Sequence, residues 1–440
     1  MDKVLIVLCF AFGLVMSAVG FPEGAVAALL TAFFGTIAVY LIRTFFKEDA
    51  ELLTRIFLIA LLVRLLFGII IQVYNLREFF GGDANTYDRL GFQLVEGWFG
   101  QALNDPKSQN LTSMTSGWGM NYLTGFIYIF TGRNVFAAQS FCAVIGAAIA
   151  PMIYKCSFEI FSNRRVSKIS ALFVALYPAF IVWSGQLLKD GIIIFLLVLA
   201  ITMVLQLQRK FSYVNTALLV LSLFGILSLR FYIFYMVAVA VVGAFIVGFS
   251  NSSASIFRRV FVLVIMGLGL TYLGVLREAG GDLDQYANLE RIQESRKDLA
   301  ASADSGFGED LDVSTMEGAI TILPLGFLYL MLAPFPWQIS SFRQAITLPE
   351  IMLWWASIPF LLSGLWYTIK YKLRTSLAIL IFTLMLTLAY SVFQGNVGTA
   401  YRQRTQIQVF LFIFIAVGWT LRQEHNEDLI ALRKARRKIA

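Results

Sequence analysis

The chain has 440 residues, 58% hydrophobic and 14% charged, with a mean hydropathy of +0.75, which excludes a water-soluble surface and describes a polytopic membrane protein. The formal net charge of +8 is gathered in short clusters between apolar runs and at the C-terminus. Without interleaved aromatics these clusters read as topology signals, and nucleic acid is excluded as a partner.

Long runs of Leu, Ile, Val and Phe without strand-like alternation satisfy their backbone as helices, so the expected class is all-α, a polytopic transmembrane helical bundle of about twelve spans. The first run, 4–20, has a weakly charged start and no A-x-A site, and reads as a retained helix instead of a signal peptide. Runs at 25–46 and 56–74 follow. A first outer loop, 75–133, then opens with FGGDANTYDR, Phe80 to Arg89, and contains a short apolar stretch at 120–131. Runs at 134–155 and 168–186 lead to the tight connection WSGQLLKDG, Trp183 to Gly191, and on to 188–207 and 214–229. Arg230 separates these from 231–249 and 257–275. The second large outer region, 276–349, holds a predicted helix in ANLERIQESRKDLAASAD and a proline-punctuated stretch at 319–334. The runs 350–369 and 375–393, the connection FQGNVGTAYRQR, a run at 405–421 and a basic cytoplasmic tail at 423–440 complete the chain. Residues 1–422 are expected to form a single membrane domain.

Basic residues set the orientation. Arg43, Lys47 and Arg55, then Arg164, Arg165 and Lys168, then Arg209 and Lys210, Arg258 and Arg259, and Lys370 to Arg374 all lie in the cytoplasm together only if 120–131 and 319–334 are interfacial or re-entrant. The regions 75–133, 276–349 and 394–404 are then extracytoplasmic.

The three cysteines, Cys9, Cys142 and Cys156, have no CxxC spacing, and the single histidine, His425, lies in the tail. This leaves neither a disulfide framework nor a zinc site, and assigns acid–base chemistry to Asp or Glu. Ionisable groups near the membrane are costly and mark candidate sites. Asp83 and Tyr87, spaced i, i+4, share a helix face; Asp83 is either a helix cap or a carboxylate base, and Asp88 points to water. Lys189 and Asp190 are either interfacial anchors or a second charged pair on the same side. Arg230 either snorkels to headgroups or binds an anion. Arg402 and Arg404, among Gly395, Asn396 and Gly398, either belong to a plain surface loop or grip a phosphate, the reading their forked donors and the glycines favour. The acidic strings at Asp282–Asp284 and Glu309–Asp312 are what any acidic loop produces, and no metal site is assigned, with a divalent ion kept as a minor possibility.

The order of D-x-x-x-Y, RLGFQLVEG, YIFTGRNVFAAQ and ALYPAFIVWSGQLLKDG, over Ala60 to Leu207, resembles the GT-C superfamily of polytopic membrane glycosyltransferases. The resemblance implies transfer of a sugar from a polyprenyl-phosphate-linked donor to a glycan, lipid or protein acceptor on the extracytoplasmic face, in cell-envelope or exopolysaccharide biosynthesis at a bacterial inner or plasma membrane. It places the family's acidic residues on Asp83 and Asp190 and suggests Lys189, Arg230, Arg402 and Arg404 for the donor phosphate, with Tyr87 in a supporting role. Two apolar runs ahead of the Asp83 loop and the lack of a DxD pair depart from the family pattern. A polysaccharide polymerase or ligase joining lipid-linked oligosaccharides is the nearest rival. A lipid or solute transporter is a third reading, for which Arg64 within an apolar run is the main observation.

Overall fold

Inside hydrocarbon a backbone has no water to bond to, so each apolar run closes its own hydrogen bonds. The computed structural model describes residues 3–99, 117–247, 253–272, 289–301, 306–308, 312–339 and 341–439, and is built of helices, with one isolated bridge between Gly306 and Asn396. The Asp282–Asp284 string and most of the Glu309–Asp312 string lie outside the described residues.

In chain order the helices are α1 (Lys3–Ala18), α2 (Glu23–Phe45), α3 (Ala50–Val73), α4 (Arg77–Gly81), α5 (Asp83–Trp98), α6 (Trp118–Thr131), α7 (Val135–Phe161), α8 (Arg164–Leu176), α9 (Pro178–Ser184) and α10 (Asp190–Arg209). They continue with α11 (Tyr213–Leu229), α12 (Phe231–Val247), α13 (Ser253–Tyr272), α14 (Leu289–Ala301), α15 (Met316–Leu332), α16 (Phe342–Ala345), α17 (Leu348–Tyr371), α18 (Leu373–Phe393) and α19 (Val397–Ile439). Local chemistry sets several boundaries. Asn134 accepts from Ala137 N at 2.9 Å to start α7, and Asn163 accepts from Arg165 N and Val166 N to start α8. Pro178 ends α8 and turns the chain by 55° into α9.

Among the described residues, seven helices are long and apolar enough to cross a membrane: α2, α3, α7, α10, α17, α18 and the first part of α19. The bent pair α8–α9 makes an eighth, and α1, α11, α12, α13 and α15 are shorter apolar helices. Twelve spans therefore require the bent pair and four of these five shorter helices to cross as well. Much of α7, α10 and α19 is buried and forms the centre, whereas α2 and α17 expose Phe33, Leu362 and Trp366, the apolar surface a lipid-facing helix needs.

Ion pairs sort the connections into two ends. Arg164 meets Glu48 and Asp49, Arg209 meets Glu159 at 2.9 Å, and Arg165 meets Glu427 at 3.2 Å, so the basic connections at 46–49, 162–164 and 209–212 share one end with the far part of α19. Asp83, Asp190, Arg230 and Arg402 meet at the other. Helix α6 begins with Gly119 against Ser228 and finishes just before Asn134, whose side chain donates to Glu23 O at 2.9 Å; both its ends lie at the site end. Helix α15 starts near Val392 and Phe393, and its last carbonyls reach Arg404. Its middle packs on the end of α18, with Gly326 against Ser391 O, and its last carbonyls also accept from Trp354 and Trp355 of α17. Helix α19 runs unbroken to Ile439, through the residues of the expected tail.

Candidate active site

The site begins with two helix N-termini. Asp83 and Asp190 are the first residues of α5 and α10, where orphan backbone N–H groups favour a negative charge. Neither carboxylate caps its own helix; both turn to Arg402, one turn into α19. Arg402 Nη1 donates to Asp83 Oδ2 at 2.7 Å, its Nε donates to Asp190 Oδ2 at 2.8 Å, and its Nη2 lies 2.6 Å from the same oxygen. One guanidinium thus joins residues 319 and 212 positions away in sequence. The Trp183 ring lies under it, 5.4 Å from the guanidinium carbon.

The two carboxylates occupy different environments. Asp190 is fully buried, and its second oxygen faces Arg230 Nη2 at 3.6 Å. Asp83 has half of its side chain exposed. Asp190 is a charge enclosed by two arginines, whereas Asp83 is anchored through one oxygen and open to solvent. Arg230, between α11 and α12, sits 5.9 Å from the Tyr232 ring and beside Tyr390.

Tyr87 is buried one turn after Asp83, and burial, with the nearby carboxylates of Asp83 and Asp190, pushes its hydroxyl well above the ordinary tyrosine range. It stays a neutral donor. Lys189, half-buried just before α10, is pushed down to about 8 by burial first and by Arg230 next. Its ammonium makes no hydrogen bond or ion pair among the described residues, and it lies against Gly117, where φ is +92° and a Cβ would come within 2.8 Å of Nζ. The positive φ favours glycine at this position.

Six of the seven residues singled out in the sequence therefore meet: Asp83, Tyr87, Lys189, Asp190, Arg230 and Arg402. Arg404 does not join them. The segment 397–404 is already helical, and two residues along a helix turn the side chain to nearly the opposite face. Arg404 instead donates to the carbonyls of Met331 at 3.0 Å and Ala333 at 2.9 Å. Asn396 and Gly398 serve as a helix start, with Asn396 Oδ1 accepting from Gly398 N at 2.7 Å, and a Cβ on Gly395 would collide with Arg296 O of α14. Asp88, expected in water, accepts from Tyr128 at 2.8 Å and pairs with Arg133 at 2.7 Å, which ties α5 to α6. Trp183 and Tyr390 escaped the sequence reading. Trp183 lay inside a quoted motif without being given a role, and Tyr390 sat unmarked in an apolar run.

Residues 60–264 match the family model of dolichyl-phosphate-mannose-protein mannosyltransferases. This is a GT-C family of polytopic membrane glycosyltransferases. The match bears out the GT-C resemblance and spans Asp83, Tyr87, Lys189, Asp190 and Arg230, while Arg402 and Arg404 fall beyond it. No curated protein matches the chain. Among the described residues no three His, Cys, Asp or Glu side chains converge.

Proposed function

We propose that the chain transfers a sugar from a polyprenyl-phosphate donor to an acceptor hydroxyl at the extracytoplasmic face, with Asp83 as general base. The observation that carries this reading is Arg402 bridging an open carboxylate and a buried one, beside Arg230 and Lys189. Transfer needs negative charge near the acceptor hydroxyl and positive charge where the phosphate departs.

Asp83 takes the proton of the acceptor hydroxyl. The freed oxygen pair bonds to the anomeric carbon as the bond from that carbon to the phosphate oxygen breaks, and polyprenyl phosphate leaves carrying the electron pair. Lys189 and Arg402 stabilise the charge that develops there. Asp190 is a positioning residue that holds Arg402 and Arg230 in place. The match to mannosyltransferases favours a hexose on the donor, and a role in cell-envelope or exopolysaccharide synthesis suits an outward-facing site.

The test is transfer from radiolabelled polyprenyl-phosphate mannose by the purified chain in liposomes, supplied with a membrane extract as acceptor source. Wild type labels extract material and Asp83→Asn does not. Transfer by Asp83→Asn at the wild-type rate, or failure of the donor to bind the wild-type chain, overturns the reading.

A further inference from the structure

A cavity of about 670 Å³ opens beside the charged cluster, within the roughly 300–1,000 Å³ of small-molecule sites. It shares a wall with the cluster: Tyr232 and Tyr390 line the cavity on one side and stand against Arg230 on the other. Gln403, next in sequence to Arg402, lines it as well. The cavity therefore abuts the charged cluster across these two tyrosines.

Its roof is α14. Arg291, Glu294, Ser295 and Asp298 follow the i, i+3, i+4, i+7 spacing of one helix face, and all four line the cavity. The opposite face fixes the helix: Arg296 donates to Phe307 O at 3.0 Å and Gln293 Oε1 accepts from Val313 N at 2.9 Å. The floor is aromatic and amide. Tyr232 and Phe393 lie nearly parallel, 6.5 Å apart, and Gln394 Oε1 is buried without a partner although its residue is only 3% exposed. A buried carbonyl oxygen left unpaired is costly unless a ligand donor reaches it.

These walls discriminate between occupants. A polyprenyl chain has nothing to bond to a face carrying Arg291, Glu294 and Asp298, and with two carboxylates to one guanidinium that face is net negative toward the donor phosphate. A saccharide satisfies both surfaces, because its C–H face packs on aromatic rings while its hydroxyls donate to carboxylate and amide oxygens.

We infer that the cavity beneath α14 is a saccharide site that takes the acceptor, which makes the acceptor a glycan. The inference rests on the transferase reading for the word acceptor, but the binding it requires does not.

The experiment is saturation-transfer difference NMR on the full chain in detergent, with cello-, malto-, manno- and chito-tetraose and a threonine-rich peptide as probes. At least one tetraose receives saturation on its ring protons. Gln394→Ala weakens that signal by about fivefold, and Ser295→Trp, a surface change on α14 that fills the cavity without touching the bundle core, abolishes it. Polyprenyl-phosphate mannose in the same sample leaves the tetraose signal in place, as two separate subsites require. Asp83→Asn keeps tetraose binding, so a failed transfer assay and a failed binding assay have different meanings. No saturation of any tetraose, displacement of the tetraose by the lipid-linked sugar, binding of the peptide instead, or a signal unchanged in Ser295→Trp overturns the inference.

Discussion

Two aspartates that look alike in sequence diverge once their surroundings are known. Asp190 is enclosed with Arg402 and Arg230, and removing one partner of a buried pair leaves an uncompensated charge costing about 3–5 kcal/mol. Asp83 keeps half its side chain in solvent, where an ion pair contributes about 1 kcal/mol or less. Asp190→Asn therefore lowers the melting temperature of the purified protein markedly, while Asp83→Asn leaves it near wild type and loses transfer. Equal destabilisation of the two variants contradicts the assignment. Lys189 brings a pH dependence. Burial and Arg230 hold its ammonium at about 8, so it is charged below that pH and neutral above it. Stabilisation of the leaving phosphate is lost as the proton leaves, and kcat/KM for the donor falls as pH rises through about 8. Lys189→Arg, which stays protonated, removes that alkaline limb; a limb that persists in this variant belongs to another group.

At the scale of the helix, two buried arginines do similar work. Arg64 donates through Nη1 to Ala175 O at 3.0 Å and through Nη2 to Val174 O at 3.2 Å, where α8 ends before Pro178, and its Nε donates to Ser184 Oγ at 2.7 Å. Arg404 serves the end of α15 before Pro334 in the same way. Each satisfies carbonyls that a proline break orphans inside the bundle. Arg64, which favoured a transporter in the sequence, thus has a structural explanation. Arg404→Met leaves those carbonyls unpaired and costs about 3 kcal/mol, yet transfer per folded molecule stays within about twofold of wild type, in contrast to Arg402→Lys. Thermal unfolding and transfer normalised to folded protein separate the two effects, and loss of transfer at full folding in Arg404→Met returns this arginine to the site. The pair also shows where sequence reading stopped. Composition and charge spacing disclosed the runs and the motifs near their ends, because hydrophobicity and basic clusters are written locally. Whether GNVGTAYRQR is a loop or a helix depends on Asn396 capping α19, and only that decision separates Arg402 from Arg404 onto different faces.

For the whole molecule, the contacts that make the site are long-range: Asp83, Asp190 and Arg402 come from three helices whose meeting no local pattern encodes. Their shared side was legible from the parity of apolar runs, since every predicted outer connection had to fall opposite the basic ones. The ion pairs at 46–49, 162–164 and 209 gather at one end and the carboxylates at the other, as that parity requires. Orientation itself has a direct measurement. Gly82 is exposed, and a Cβ placed there meets nothing within 4 Å, so cysteine at this position is tolerated and reachable. Glu424 is exposed near the other end, on the far part of α19. Cys142 and Cys156 are buried, so replacing Cys9 by serine gives a suitable background. In intact cells an impermeant maleimide labels the Gly82→Cys protein, and it labels the Glu424→Cys protein only after permeabilisation. The reverse pattern puts Asp83 in the cytoplasm, against the direction set by the basic connections, and with it the acceptor hydroxyl that the proposed transfer needs outside.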